Sequence, residues 1–80
     1  VGIGTTDPKR DLHLRSTCPY VRFEDTDGGN QWEAGVFGQD HDFRISEIVN
    51  GSPKGRLIVE EGGNVGIGTT DPSEKLVVVG

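Results

Sequence analysis

Methionine is absent from the chain, and cysteine, tryptophan and tyrosine occur once each. A single thiol, Cys18, cannot close an internal bridge, which excludes a disulfide framework and fits either a cytosolic protein or a fibre that uses no disulfides. Three Phe complete the aromatic set, and hydrophobic residues fill only 31% of 80 positions. A domain of this length buries little more than about 60% of the surface its unfolded chain exposes, so the core is thin. Small scaffolds offset that with disulfides, a structural metal or association, and association is the route this composition supports best. Cations are also scarce: eight Lys and Arg stand against thirteen Asp and Glu, for a net charge of -5. They are scattered, whereas phosphate binding needs them clustered, which argues against a nucleic-acid partner and an anionic membrane surface. Long apolar runs are missing too. Nothing approaches the roughly 20 residues that span a bilayer, so no membrane insertion is expected, and any export signal would lie beyond these residues.

What is present begins with a repeat. The octet Val-Gly-Ile-Gly-Thr-Thr-Asp-Pro occupies Val1–Pro8 and returns unchanged at Val65–Pro72. Leu12 then aligns with Leu76 and Leu14 with Val78, so the period is 64 residues. On this reading residues 1–64 are one β-rich repeat unit and residues 65–80 the start of the next, within a longer array. Val65 and Ile67 alternate with Gly66 and Gly68, which places branched side chains on one face of a strand and nothing on the other. Close approach of another backbone explains alternate glycines, with plain flexibility as the alternative. The candidate assembly seam is therefore Val1, Gly2, Ile3, Gly4, Val65, Gly66, Ile67 and Gly68, against which a neighbouring strand or a symmetry-related copy would pack. Asp71, Pro72 and Glu74 follow with the spacing of a capping box, and this predicts a single helical or 3₁₀ turn. Pro8-Lys9-Arg10-Asp11 offers the same geometry in the first copy.

Between the octets the chain reads as short strands at Tyr20 to Asp25, Gln31 to Phe37, Asp42 to Val49 and Arg56 to Glu60. Shorter ones follow each octet, at Leu12 to Arg15 and Leu76 to Val79. The dividers are Asp27–Asn30, Gly38–His41, Asn50–Gly55 and Gly62–Asn64, all rich in residues that accept positive φ or pre-set a turn. Alternation predicts that Val21, Phe23, Trp32, Ala34, Val36, Phe43, Ile45, Leu57 and Val59 point inward. Arg22, Glu24, Glu33, Arg44, Ser46 and Glu60 would then face water or a partner. The fold class is all-β, with seven or eight short antiparallel strands and hairpins and single helical turns after the repeat motif.

Few residues invite chemistry. Asp25-Thr26-Asp27-Gly28-Gly29-Asn30 is a partial match to a calcium loop, but the twelfth position holds Val36 and helices are lacking, so a hairpin turn is the better account. Glu24, Asp25, Glu33, Glu60 and Glu61 supply carboxylates, and nothing in their spacing pairs two of them for glycoside hydrolysis. His13 and His41 have no second ligand at metal spacing, and Cys18 has no histidine arranged to activate it. The octet lacks the Lys-Ser/Thr of a phosphate loop. No catalytic residue, cofactor or metal is expected, and the chain is not read as an enzyme. Trp32 is the one residue with binding interest: it either anchors the core, the stronger reading, or stacks on a sugar ring.

Gly63-Asn64-Val65-Gly66-Ile67-Gly68-Thr69-Thr70-Asp71-Pro72, followed by Lys75-Leu76-Val77-Val78, resembles the Gly-Asn-Val-Gly-Ile-Gly-Thr-Thr repeats of phage tail-fibre and bacterial surface-fibre proteins. Val21-Arg22-Phe23-Glu24-Asp25-Thr26, then Trp32 and Phe43-Arg44-Ile45, looks like the module that often precedes that repeat. The resemblance implies a structural segment of an extracellular or virion-surface fibre, an intertwined homotrimeric shaft that self-associates with neighbouring repeats and presents an adhesive tip. It also implies that any cell-surface glycan is bound by parts outside these residues. The rival reading is a monomeric carbohydrate-binding β-sandwich that recognises a cell-surface glycan through Trp32.

Overall fold

The computed structural model describes all 80 residues and contains strands but no helix. The strands are β1 (Gly2–Ile3), β2 (His13–Leu14), β3 (Tyr20–Glu24), β4 (Gln31–Phe37), β5 (Asp42–Val49), β6 (Ser52–Val59), β7 (Val65–Ile67) and β8 (Leu76–Val78). From β3 to β8 each strand lies beside the next in one six-stranded sheet, while β1 and β2 form a separate pair. Pairing is antiparallel from β3 to β7 and parallel between β7 and β8, as it is between β1 and β2.

Turn chemistry sets the hairpin registers. Asn50 and Gly51, at φ 53° and 80°, form a two-residue turn between β5 and β6 whose twist matches that of the flanking strands. A turn this tight leaves Ser52 to Gly55 free to extend, so β6 begins at Ser52 and not at Arg56 as the divider suggested. Pro53 is tolerated opposite Ile48 because the other edge of β6 is open there, β7 covering only Leu57 to Val59. The register slips by one residue after Ile45, where the β5–β6 ladder is irregular.

The two octets fold alike. Gly2 pairs with His13 and Ile3 with Leu14, and 64 residues on Gly66 pairs with Val77 and Ile67 with Val78. Parallel neighbours usually need a connection of about a dozen residues or more. Here Gly68–Lys75 suffices, because Gly68 at φ 81° reverses the chain and the following turn lies flat on the strand it has just left. The turn is a series of bends, not the helical turn expected from Asp71, Pro72 and Glu74. The Thr69 hydroxyl accepts the Asp71 N–H at 3.2 Å, and Thr5 accepts the Asp7 N–H at 3.1 Å, so threonine captures the donor a helix cap would have used.

Cross-strand register groups side chains by face. Val21, Ala34, Ile45, Leu57, Ile67 and Val78 form one row, and Val36, Phe43, Val59, Val65 and Leu76 the next on the same side. The alternation is as read from the sequence, but its sense is reversed. This apolar face is open: Phe43, Ile67 and Val78 are 47%, 43% and 64% exposed. The packed side carries Ile58, fully buried and the only buried hydrophobic residue, with Gly35, Asp42, Ser46, Gly66 and Pro72. Its order comes from polar contacts. The Arg44 guanidinium donates to both Asp42 carboxylate oxygens at 2.7 and 3.1 Å and to Asp40 at 2.8 Å, and lies 4.2 Å over the Phe37 ring. Asp42, 2% exposed, is thus compensated where a lone carboxylate would be costly. Hydrogen bonding to Asp42 raises the Arg44 pKa further above its ordinary value.

The result is a plate rather than a ball. Its principal extents are 41 × 36 × 20 Å and its radius of gyration is 14.0 Å, against about 11.6 Å for a compact chain of this length. It exposes 5900 Å², where size scaling gives about 4,700 Å² for a compact monomer of this mass.

Candidate functional site

The seam residues divide between the two faces of β7. Val65 and Ile67 point to the open apolar side, continuous with Val59 and Leu57 on β6 and with Leu76 and Val78 on β8. Gly66 points the other way, and its bare surface is filled by the chain itself: a Cβ there would stand 2.7 Å from the Thr69 carbonyl oxygen and 3.3 Å from Pro72 Cγ. Gly68 lies against the Val79 carbonyl. The close approach inferred from alternating glycines is therefore real but intramolecular, a parallel arch folding its own turn back onto its strand. In the first copy Val1 and Ile3 are exposed, Gly2 meets Thr5 and Pro8 in the same way, and Gly4 meets the Arg15 carbonyl.

Trp32 does not anchor the core. It sits on the open side of β4 directly opposite Phe23 on β3, and the two rings are 40% and 60% exposed. In a sheet with a single buried hydrophobic residue, no second layer exists to enclose an indole. The Phe23–Trp32 row continues into Glu47 and Lys54, so it is polar at its far end and forms the rim of the apolar face. A cavity of about 310 Å³ opens there, lined by Phe23, Glu24, Asp25, Asn30 and Trp32.

The Asp25–Asn30 segment is a hairpin loop. Asp25 Oδ1 accepts the Asp27 N–H at 2.9 Å, while the Asp25 N–H and carbonyl bond Asn30 and Gly29 at 2.8 and 2.9 Å. A larger polar hollow of about 520 Å³ is lined by Gln39, Asp40, Asp42, Glu60, Thr70 and Asp71, and two of its carboxylates are held by Arg44. No group of three or more His, Cys, Asp or Glu is placed to hold a metal ion. The His13 ring accepts the Lys9 N–H through Nδ1 at 3.0 Å, His41 sits in the β4–β5 turn at φ 58°, and Cys18 is exposed.

Two features escaped the linear reading. One is the Asp42–Arg44 pair, which spacing of two on a strand would have placed on one face. The other is the juxtaposition of Phe23 with Trp32, which follows once the loop centred on Asp27 and Gly28 fixes the register. No protein-family model matches the chain, and no curated protein matches it either.

Proposed function

We propose that the chain is a structural module of an extracellular or virion fibre, a shaft segment that self-associates through its open sheet face, in a homotrimer, and performs no catalysis. The observation that carries this reading is the two-row apolar face of β3–β8, left in water by the isolated chain. About 1,200 Å² of surface beyond the compact expectation is of the size that stable interfaces bury. Each half-exposed Val, Ile, Leu or Phe would recover about 1 kcal/mol on being covered. Three such plates with apolar faces turned inward would share one core. The three-fold order and the adhesive tip rest on the resemblance of the octet and its flanks to tail-fibre and surface-fibre repeats.

Light scattering on the intact chain tests the proposal. An oligomer is expected, and Phe43→Glu or Ile67→Glu, each placing a charge in the middle of the face, should shift the mass towards that of one chain. A parent protein that stays monomeric and soluble at all concentrations refutes it. The lectin alternative is favoured by the same result only if the monomer also binds sugar.

A further inference from the structure

Phe23 and Trp32 are direct cross-strand partners at the rim, both exposed and close to the loop that joins their strands. Large aromatics left this exposed cost apolar hydration and call for an occupant. The cavity beside them is also lined by Asp25 and Asn30, which alternation places on the same face as Phe23 and Trp32. Asp25 is fixed by its loop, because Oδ1 and both backbone groups are engaged, which leaves Oδ2 as an acceptor of set position. The cavity volume is at the small end of the range for small-molecule sites.

An aromatic platform beside acceptors in fixed positions suits a ring with one apolar face and hydroxyls around its edge. We propose that the Phe23–Trp32 rim is a binding subsite for an uncharged pyranose. The ring's C–H face stacks on the two aromatics while its equatorial hydroxyls donate to Asp25 and accept from the Asn30 amide. The Asp25 carboxylate beside the aromatics repels carboxylated or sulfated sugars, so the site selects neutral hexosides and N-acetylhexosaminides. The row ends in Glu47 and Lys54 and lies beside the apolar rows, so a copy covering those rows alone would leave the site open. The subsite therefore does not depend on the shaft reading. Where units recur along an array, individually weak sites would act together.

Trp32 is the sole tryptophan, so its emission reports on this site alone. The full chain, with its mass fixed by light scattering, is titrated with a panel of neutral methyl pyranosides and N-acetylhexosaminides, with N-acetylneuraminic acid and glycerol as controls. A saturable change with at least one neutral pyranoside and none with the controls is expected. Asp25→Asn keeps the loop bond to Asp27 and should weaken binding roughly tenfold. Phe23→Ala should abolish it. Because Phe23→Ala could also disturb the sheet, Asp25→Asn gives a second arm, in which the discrimination against N-acetylneuraminic acid should shrink. No saturable response to any neutral pyranoside, a response that glycerol reproduces, or Trp32 shielded from a soluble quencher by a neighbouring copy would each overturn the proposal. The first two outcomes do not bear on whether the chain oligomerises.

Discussion

Gly66→Ala isolates what the octet glycines do. Gly66 is buried, and it is not among the glycines at positive φ, so alanine meets no backbone strain there, only contacts. The added Cβ would stand 2.7 Å from the Thr69 carbonyl oxygen, 3.1 Å from Thr69 Cγ2 and 3.3 Å from Pro72 Cγ. Ordinary contact begins near 3.4 Å, so a backbone oxygen must retreat by about 0.7 Å, an overpacking that costs about 1–3 kcal/mol. Stiffening the unfolded chain returns about 0.4–1 kcal/mol. A net loss of about 1–2 kcal/mol is expected, a large share of the stability of so small a domain. Two companions separate the causes. Gly51→Ala, at φ 80° with nothing within 4 Å, meets strain alone and should cost about 1 kcal/mol. Gly68→Ala, at φ 81° and against the Val79 carbonyl, meets strain and collision and should cost the most. Urea melts followed by far-UV circular dichroism, at one protein concentration, give the three values. The intramolecular arch predicts positive coupling between Gly66→Ala and Pro72→Ala, since the second removes part of the obstruction. A Gly66→Ala protein as stable as the parent would refute this account of the octet.

Three further outcomes follow from the packed side and the turns. Arg44→Met strands the Asp42 carboxylate beneath the sheet and should destabilise by about 3–5 kcal/mol, with much of the loss recovered in Arg44→Met/Asp42→Leu, as thermal melts would show. Burial raises the Tyr20 pKa above 10.0. The folded state therefore holds that proton more tightly than the unfolded chain, so stability should be unaffected at neutral pH and decline as pH rises above about 10, with phenolate absorbance lagging that of the urea-unfolded protein. Asn50→Ala should cost about 1 kcal/mol in urea melts because alanine resists φ 53°, whereas Asn50→Gly should stay within about 0.5 kcal/mol of the parent.

Much of the strand pattern was legible from residue order. Gln31–Phe37 and Asp42–Val49 stand where alternation placed them, because apolar residues fall at every second position over Trp32, Ala34 and Val36 and over Phe43 and Ile45, with turn residues at both ends of each run. The start of β6 was not legible: Pro53 and Gly55 look like loop residues until the Asn50-Gly51 turn and the open edge are known. The sense of the sheet was not legible either. A period of two states which side chains share a face and is silent on which face is covered, and here Phe23, Trp32 and Phe43 lie on the uncovered one. Gly66 illustrates a third limit, since alternate glycines signal close approach without saying whether the approaching backbone belongs to the same chain.

The uncovered face also orders events in time. A nascent chain that closes its hairpins presents two rows of apolar side chains and the unpaired edge of β3 before any other copy has arrived. A chain in that state is sticky by construction, and its packed side offers one buried isoleucine to hold it together. If copies of the chain cover that face, as proposed, maturation becomes a race between meeting those copies and meeting anything else. On that proposal the yield would depend on how many copies are made close together and at once, so local synthesis would matter as much as residue chemistry.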